Sequence, residues 1–220
     1  MSSLINITIL IVAYLLGSIP TAVWVGKRFY GIDVREHGSG NAGATNTFRV
    51  LGKRAGIPVL VIDILKGFLA ASLAYFANYQ PGTNQFINLQ LVLGTAALLG
   101  HLFPIFAAFR GGKGIATILG VIISVHPSAA LLSIGIFLFV FLTTRYVSLG
   151  SMVAAVMFPV VIVLVFKSDT RSLLVFSFII AILVLVTHQN NIERLLRGKE
   201  SRISFKKKSM KVNPNPSLNS

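Results

Sequence analysis

Small and polar residues fill segment 37–49 (HGSGNAGATNTFR), although 54% of the whole chain is hydrophobic. Its glycines follow the pattern G-x-G-x-x-G, and glycine lets a backbone turn tightly and bring N–H groups up to a ligand. Hydroxyl and amide side chains lie between the glycines, and Arg49 can form paired hydrogen bonds with a phosphate. A flexible loop would explain the glycines alone, whereas the number of hydrogen-bond donors favours a segment that wraps an anionic group.

A second polar segment, residues 110–117, contains Gly111, Gly112, Lys113 and Gly114. It lacks the GxxxxGK spacing, and the Ser or Thr after the lysine, that a Walker nucleotide loop requires. Glycines at the start of a helix expose N–H groups and the positive end of the helix dipole, and Lys113 adds a full charge. Basic residues and helix-breaking glycines also flank many membrane spans, but we predict a phosphate-binding role for this segment.

The third polar segment, HQNNIERLLRGKE, begins at His188. If the preceding helix continues, His188, Asn191 and Arg194 follow at three-residue steps and lie along one side. Glu193 and Arg197 are spaced to form an ion pair across one helical turn. Taken alone, His188 could be an interfacial histidine, but its place level with two candidate phosphate-binding segments favours a functional role.

Charged residues make up only 12% of the 220 residues, which is typical of a polytopic membrane protein rather than a soluble domain. The net charge of +14 could attract nucleic acid, but the basic residues alternate with long apolar runs. Orientation in a membrane explains them better, so we expect no nucleic-acid partner. The chain has no cysteine, which excludes disulfides, thiolate metal sites and a thioester intermediate on the protein.

Seven apolar segments are long enough, or nearly long enough, to cross a membrane. The fourth and fifth are short and are separated by His126-Pro127-Ser128. One helix through both would be about 45 Å long, against a hydrocarbon core of about 30 Å, so we predict a turn there. Proline could also merely kink a longer helix. The predicted fold is an all-α, polytopic integral membrane protein with seven transmembrane segments, at about 4–25, 56–77, 89–109, 115–125, 129–143, 149–166 and 172–187.

Positive charge gives this topology a direction, because loops on the inner side of a membrane are enriched in Lys and Arg. With seven spans and the N-terminus outside, most of the 20 basic residues fall on the inner side. The C-terminus is then cytoplasmic, and all three polar segments reach the same face. We expect one membrane-embedded domain over residues 1–203, and a basic, disordered cytoplasmic tail over 204–220 that contacts anionic lipid.

Asp63 and Lys66 lie one helical turn apart inside the second predicted span. Charged residues within a membrane are functional candidates, but mutual pairing would satisfy both, and we interpret them as a structural pair that supports the site. His101, near the inner end of the third span, could line the site or pack beside Pro104. His126 is predicted to lie on the outer side, away from the chemistry.

Together, SGNAGATNTFR, GGKGIAT and HQNNIERLLRGKE closely resemble the three signature motifs of the bacterial acyl-phosphate:glycerol-3-phosphate acyltransferases, the PlsY-type family. The resemblance implies an integral enzyme of the bacterial plasma (inner) membrane, with its active site at the cytoplasmic face. The implied reaction transfers a fatty acyl group from acyl phosphate to the 1-position of glycerol 3-phosphate, giving lysophosphatidate and inorganic phosphate. This is the first step of bacterial phospholipid synthesis, and neither a metal nor another cofactor is expected.

The resemblance and the chemistry together suggest roles for the residues of the three segments. Both substrates carry a phosphate, and acyl phosphate has a good leaving group, so the reaction needs positioning and charge neutralisation more than a strong nucleophile. Glycerol 3-phosphate is expected to bind Ser39, Arg49, Lys113, His188 and Asn191, of which the first four are the candidate catalytic residues. Acyl phosphate is expected to bind Gly40, Asn41, Gly43, Ala44, Thr45, Asn46, Gly111, Gly112, Gly114 and Thr117. His188 would either orient the attacking hydroxyl or accept its proton, which the phosphate of the donor could accept instead.

Two functions of other classes compete with this interpretation. A transporter for a phosphorylated metabolite would line a path across the membrane and bind near the midplane, whereas these polar segments cluster at one face. A lipid-binding scaffold would tolerate Lys113→Ala and Arg49→Ala without loss of function. The H-x4-D pair of the commonest glycerolipid acyltransferases is absent, since Glu193 lies where the pattern from His188 needs aspartate. No protein partner is predictable.

Overall fold

Helices joined by short loops form residues 2–203, the part of the chain that the computed structural model describes. Within this range there are ten α-helices and no strand, which confirms the predicted all-α class. The predicted tail, residues 204–220, lies outside the described residues. The helices are α1 (Ser2–Gly17), α2 (Thr21–Tyr30), α3 (Ala44–Leu51), α4 (Lys53–Ser72), α5 (Asn84–Leu102), α6 (Ile115–Val125), α7 (Pro127–Thr144), α8 (Val147–Val160), α9 (Arg171–Thr187) and α10 (Gln189–Leu196).

Four helical stretches are long and apolar enough to cross a membrane by themselves. Two bent pairs would each qualify as one broken span: α1 with α2, bent by 43°, and α9 with α10, bent by 60°. Residues 2–203 therefore contain four to six candidate spans, because α6, with 11 residues, is too short to cross alone. The count of seven spans and the orientation of the termini stay predictions. The four long stretches are Lys53–Phe76, Asn84–Ala107, Pro127–Thr144 and Val147–Val165.

The first predicted span is broken before α2 rather than continuous. Pro20 has no backbone N–H and restricts the residue before it, so a straight helix cannot pass through this point. A buried ion pair on α4 supports the break: the Asp63 carboxylate lies 2.9 Å from the Lys66 ammonium. Lys66 also donates to the carbonyl of Ile19 at 3.0 Å, and the Thr21 hydroxyl donates to Asp63 at 3.1 Å. The predicted structural pairing of Asp63 with Lys66 is confirmed.

The predicted break between the fourth and fifth segments is confirmed, because His126 has a non-helical backbone conformation. α6 ends at Val125 and α7 begins at Pro127, which suits the first turn of a helix because the N–H that proline lacks would be unpaired there. The side chain of His126 accepts a hydrogen bond from the Ala129 N–H at 3.2 Å and thereby caps α7. His126 therefore has a structural role in capping α7, and it belongs to none of the three polar segments.

Glycines allow α6 to pack very closely against α4, a central helix that also contacts α1, α2, α3 and α5. A Cβ atom on Gly67 would lie 2.1 Å from the carbonyl oxygen of Thr117, and one on Gly120 would lie 1.9 Å from that of Ile64. Small residues let membrane helices approach in this way. The contact fixes α6, whose first residues follow Lys113, relative to the centre of the fold.

An apolar cluster joins α6, α8 and α9. Phe158 of α8 and Ile162 just after it share this cluster with Val121 of α6 and Val184 of α9. Large apolar side chains also cover the outer surface, and Phe139 of α7, for example, is 72% exposed. Such a surface is typical of helices that face lipid rather than water.

Gly120→Ala is expected to destabilise the protein, because the added methyl group would lie against the backbone of α4. Overpacking of this kind lowers the free energy of unfolding by about 1–3 kcal/mol. Gly135 on α7 is the matched control, because nothing lies within 4 Å of its Cβ position. Gly135→Ala should be neutral or should stabilise the helix by up to about 1 kcal/mol. Thermal unfolding in detergent compares them, and equal unfolding midpoints would contradict the close packing of α4 and α6.

Candidate active site

The side chain of Asn46 organises the first polar loop from the inside. It is 1% exposed, its Oδ1 accepts the Ser39 N–H at 2.9 Å, and its Nδ2 donates to the carbonyls of Val34 and His37 at 2.8 and 3.0 Å. Gly38 faces the same Oδ1 and has φ +64°, a conformation that favours glycine. Because these bonds occupy the amide, the predicted contact between Asn46 and substrate stays a prediction, and the geometry favours a loop-shaping role.

The other polar residues of this loop lead into the N-terminal end of α3. Gly43 is the N-cap residue, so Ala44 and Thr45 form the first turn of the helix, where backbone N–H groups can bind an anion. Thr45 and Arg49 are both exposed and lie four residues apart, which puts them on one helix face. Ser39 and Gly40 are exposed, and Asn41 is half-buried with its side-chain oxygen turned toward Gly43. These residues are placed as an accessible anion site requires.

The second polar loop folds back on the end of α5. The N–H of Gly111 donates to the carbonyl of Leu102, and that of Gly112 donates to the carbonyl of His101, both at 3.2 Å. A Cβ atom on Gly112 would lie 2.3 Å from the His101 ring and 3.3 Å from the Ala42 carbonyl oxygen, so this glycine joins the first loop to the second. Two N–H groups that the sequence suggested for acyl phosphate are therefore already used within the protein.

Gly114 ends this loop, with φ +79°, and α6 begins at the next residue. Thr117, in the first turn of α6, is fully buried in the contact with α4, and its hydroxyl has no hydrogen-bond partner among the described residues. Its predicted contact with substrate stays a prediction, since its position favours helix packing. The groups of this loop that remain available to a ligand are therefore the Lys113 side chain and the N-terminal end of α6.

His101 lies behind the second loop as part of a buried polar group. Its Nδ1 is 3.9 Å from the carboxylate of Asp63 and has no hydrogen-bond partner within residues 2–203. Together with Lys66, Gly111 and Gly112, these residues line a small pocket between α4, α5 and the loop. Pro104 lines the same pocket, so both alternatives that the sequence left open for His101, lining the site or packing beside Pro104, remain.

The third polar segment starts at the 60° bend between α9 and α10. His188 is 3% exposed, and its Nδ1 lies 2.8 Å from the carbonyl oxygen of Val184. A nitrogen that faces a carbonyl must carry the proton, so Nε2 is the acceptor nitrogen of the neutral ring. Burial lowers the pKa of His188 to about 4, and the nearby charge of Lys113 acts in the same direction. His188 is therefore neutral at neutral pH.

Lys113 is the residue around which the three segments meet. Its ammonium donates a hydrogen bond to Oδ1 of Asn191 in α10. Its pKa is lowered to about 8, first by burial and then by the charges of Arg194 and Arg49, while the charge of Glu200 opposes them. These effects show that Lys113, in the second segment, lies near Arg49 of the first and near three residues of the third.

Glu200 is a site residue that the motifs alone did not single out. Its carboxylate accepts hydrogen bonds from Asn191 at 2.7 Å, Arg194 at 2.7 Å and Ser148 at 2.8 Å. Burial raises the pKa of Glu200, but these hydrogen bonds outweigh burial and leave the pKa below its usual value. The sequence signal was an acid placed two residues after Gly198, which ends the helix with φ +65° and turns the chain back. The predicted ion pair of Glu193 with Arg197 is confirmed at 2.8 Å.

The fold and the site thus define a helical membrane protein with a cationic corner formed by three polar segments. The sequence model of the glycerol-3-phosphate acyltransferase family matches residues 7–198. The chain is 43% identical to the glycerol-3-phosphate acyltransferase of Chlorobaculum tepidum, over 92% of this chain and 98% of that protein. It is 45% identical to the enzyme of the same name from Enterococcus faecalis, over 94% of this chain and 95% of that protein.

Two crystal structures of PlsY (YgiH), an integral membrane glycerol 3-phosphate acyltransferase, have the same fold as this chain. The glycerol 3-phosphate form aligns with a TM-score of 0.80 at 40% identity, over 90% of this chain and 96% of that one. The lysophosphatidic acid form aligns with a TM-score of 0.77 at 40% identity. The chain belongs to the glycerol-3-phosphate acyltransferase family, which confirms the resemblance of the three motifs and makes this an integral membrane protein.

Binding of a simple phosphate monoester, such as methyl phosphate, should weaken as Lys113 loses its proton. The ammonium is charged below its pKa of about 8 and neutral above it, whereas the ligand is already a dianion above about pH 7. Isothermal titration from about pH 7 to about pH 9.5 should show a loss of affinity of about tenfold. Lys113→Arg is the control, because arginine keeps its charge over this range. The same loss of affinity in Lys113→Arg would assign the effect to another group.

Proposed function

We propose that this protein transfers a fatty acyl group from acyl phosphate to the 1-hydroxyl of glycerol 3-phosphate, at the cytoplasmic face of a bacterial plasma membrane. The products are 1-acylglycerol 3-phosphate and inorganic phosphate. Family membership supports glycerol 3-phosphate as the acyl acceptor. The observation that carries the proposal is the group of cations around Lys113.

The charges at this corner match a phosphate monoester. Lys113, Arg49 and Arg194 are positive and Glu200 is negative, so these four groups together carry a net charge of +2. A phosphate monoester carries a charge of about −1.5 to −2 at neutral pH. Because Lys113 is also partly desolvated, its attraction to such an anion is stronger than it would be in water. A bound phosphate would relieve the repulsion among the three cations.

Each substrate phosphate can be assigned to a different part of the site. We place the phosphate of glycerol 3-phosphate at Lys113 and Arg49, with Ser39 as a further ligand, while Asn191 orients the lysine through its hydrogen bond. His188 binds the same substrate at its glycerol hydroxyl, because its free Nε2 can only accept a hydrogen bond. Acyl phosphate is placed at the N-terminal end of α3, where Asn41, Gly43, Ala44 and Thr45 supply N–H and hydroxyl donors. The N–H of Gly40 donates to the carbonyl of His37 at 3.1 Å, so Gly40 shapes this site rather than donating to the substrate. The acyl chain of acyl phosphate would lie among the apolar helices that face lipid.

The chemistry is a direct displacement at the acyl carbon. The glycerol hydroxyl attacks the carbonyl carbon of acyl phosphate, the bond from that carbon to the phosphate oxygen breaks, and phosphate leaves with its electron pair. Cations near the donor phosphate stabilise the negative charge that develops on the leaving group. The chain has no cysteine, so no thioester forms on the protein along the way.

His188 is better suited to orienting the hydroxyl than to removing its proton. A general base is most effective when its pKa lies near the working pH, and the pKa of His188 is about 4. The neutral Nε2 can still accept a hydrogen bond from the glycerol hydroxyl and direct it toward the acyl carbon. We therefore assign the proton to the departing phosphate.

His188→Gln tests this assignment, because glutamine keeps a side-chain acceptor but cannot act as a general base. If His188 orients the hydroxyl, kcat should stay within about tenfold of the wild-type value; loss of a general base would lower it by about 100-fold or more. Single-turnover rates measured at saturating acyl phosphate compare the two proteins. A fall of 100-fold or more, with substrate binding intact, would show that His188 removes the proton.

The proposed donor is tested by offering the purified protein acyl phosphate or acyl-CoA together with radiolabelled glycerol 3-phosphate. Lysophosphatidate and phosphate should form from acyl phosphate alone. Lys113→Met should lower kcat/KM by about 100-fold or more, because the charge that binds and positions the phosphate of glycerol 3-phosphate is lost. Lys53→Met is the matched control, since Lys53 is exposed at the start of α4 and the same charge is removed. Efficient use of acyl-CoA, or equal effects of the two substitutions, would refute the proposal.

A further inference from the structure

We propose that Arg35, held by Asp33, is a positioning residue that keeps the Lys113 loop in its working conformation. Neither residue belongs to the three polar segments, and neither has a role in the chemistry described above. The inference extends the proposed function to a new residue, since it concerns the same phosphate site. It rests on the contacts of Arg35, on the backbone conformation that Arg35 holds, and on the short chain that leads from there to Lys113.

Arg35 lies just before the first polar segment and links it to the loop between α5 and α6, which contains the second polar segment. Its Nη1 donates to the carbonyl of Ala107 at 2.9 Å and to that of Arg110 at 3.4 Å. The guanidinium is largely removed from solvent, with 13% of the side chain exposed. Hydrogen bonds from a charged donor in such a place are stronger than neutral ones. Arg35 therefore fixes two points of the loop that precedes Lys113.

Asp33 anchors the guanidinium from the other side. Arg35 Nη2 donates to Asp33 Oδ2 at 2.7 Å, and Nε donates to Oδ1 at 3.0 Å, so the pair is bidentate. The same carboxylate accepts the backbone N–H of Arg35 at 3.0 Å and lies 3.3 Å from Lys27. The hydrogen bond from Arg35 holds the pKa of Asp33 well below its usual range, so the carboxylate stays charged. The first loop therefore presents Arg35 in one fixed orientation.

The two carbonyls that Arg35 binds flank a strained turn. Ala108 and Phe109 both have positive φ values, 52° and 58°, although each carries a Cβ atom. Non-glycine residues adopt this conformation at a cost and keep it only where surrounding contacts enforce it. The hydrogen bonds of Arg35 to Ala107 and Arg110 supply such contacts. Without them, only the backbone hydrogen bonds of the turn itself, from Phe109 to Pro104 and from Arg110 to Ala107, oppose relaxation toward negative φ.

Relaxation of this turn would be transmitted to Lys113. Only Gly111 and Gly112 separate Arg110 from the lysine, and their N–H groups are held by α5. A shift at Arg110 therefore changes the direction in which the chain enters these two glycines, and with it the position of the Lys113 ammonium against Asn191. Arginine is needed at position 35, because a lysine has no fork that can bind a carboxylate twice and reach two carbonyls.

The test measures methyl phosphate binding by isothermal titration, together with acyl transfer from acyl phosphate. Arg35→Gln should weaken methyl phosphate binding and raise the KM for glycerol 3-phosphate, each by about tenfold. Arg28→Gln is the control, because Arg28 is exposed at the end of α2 and loses the same charge on the same side of the protein. Its effect should stay within about twofold. Arg35→Lys should fall between wild type and Arg35→Gln.

A pH series distinguishes positioning from a general loss of structure. In the wild type, binding should be lost as Lys113 deprotonates near pH 8, at a site where the charged or titratable groups nearby are Arg49, Arg194, His188 and Glu200. If Arg35→Gln releases Lys113 toward solvent, the midpoint of this loss should move upward toward the ordinary lysine value. The double variant Asp33→Asn, Arg35→Gln should bind methyl phosphate no more weakly than Arg35→Gln alone, because Asp33 acts through Arg35.

Two results would overturn the inference: an effect of Arg35→Gln equal to that of Arg28→Gln, or weaker binding with an unchanged pH midpoint. An inactive wild type that still binds methyl phosphate would refute the proposed reaction instead. In that case the measurements of methyl phosphate binding alone test the role of Arg35. A tenfold loss of affinity and a shifted pH midpoint in Arg35→Gln would support that role. The binding and turnover measurements thus separate the two proposals.

Discussion

An excess of positive charge in a half-buried corner is the constraint on which the rest of this structure depends. Lys113, Arg49 and Arg194 come from three segments far apart in the chain, and Glu200 offsets only part of their charge. Like charges repel more strongly where water is partly excluded. The pKa of Lys113 is lowered first by burial and then by the charges of Arg194 and Arg49, so the repulsion adds to the cost of burying this charge. A protein keeps such an arrangement when a bound anion completes it, which is why a phosphate-bearing substrate explains the site.

The rest of the fold keeps these cations together against their repulsion. Backbone contact at Gly67 and Gly120 fixes α6 against α4, and the buried pair of Asp63 with Lys66 ties α4 to the break before α2. The second loop is held by the end of α5, and Asn46 gives the first loop its shape from within. Rigid elements therefore carry the substrate-facing loops, so that the charges are in place before substrate binds.

Features that depend on local sequence were predictable, and features that depend on distant pairing were not. The three polar segments, the helical class and the break at His126 follow from glycine content, apolar runs and proline. By contrast, Glu200 joins the site because the chain turns back after α10, and Arg35 matters because the carbonyls of another loop lie beside it. The motif also made Asn46 look like a ligand, since a sequence shows that an amide is present but not that its hydrogen bonds are already made inside the loop.

The most direct test of this account is an experimental structure of the protein with glycerol 3-phosphate bound. A phosphate oxygen should lie within about 3 Å of the Lys113 ammonium, the usual distance of a charge-assisted hydrogen bond, with Arg49 as a second ligand. This placement would be contradicted by a phosphate bound elsewhere while Lys113 remains on Asn191, because the cations around Lys113 would then have another purpose.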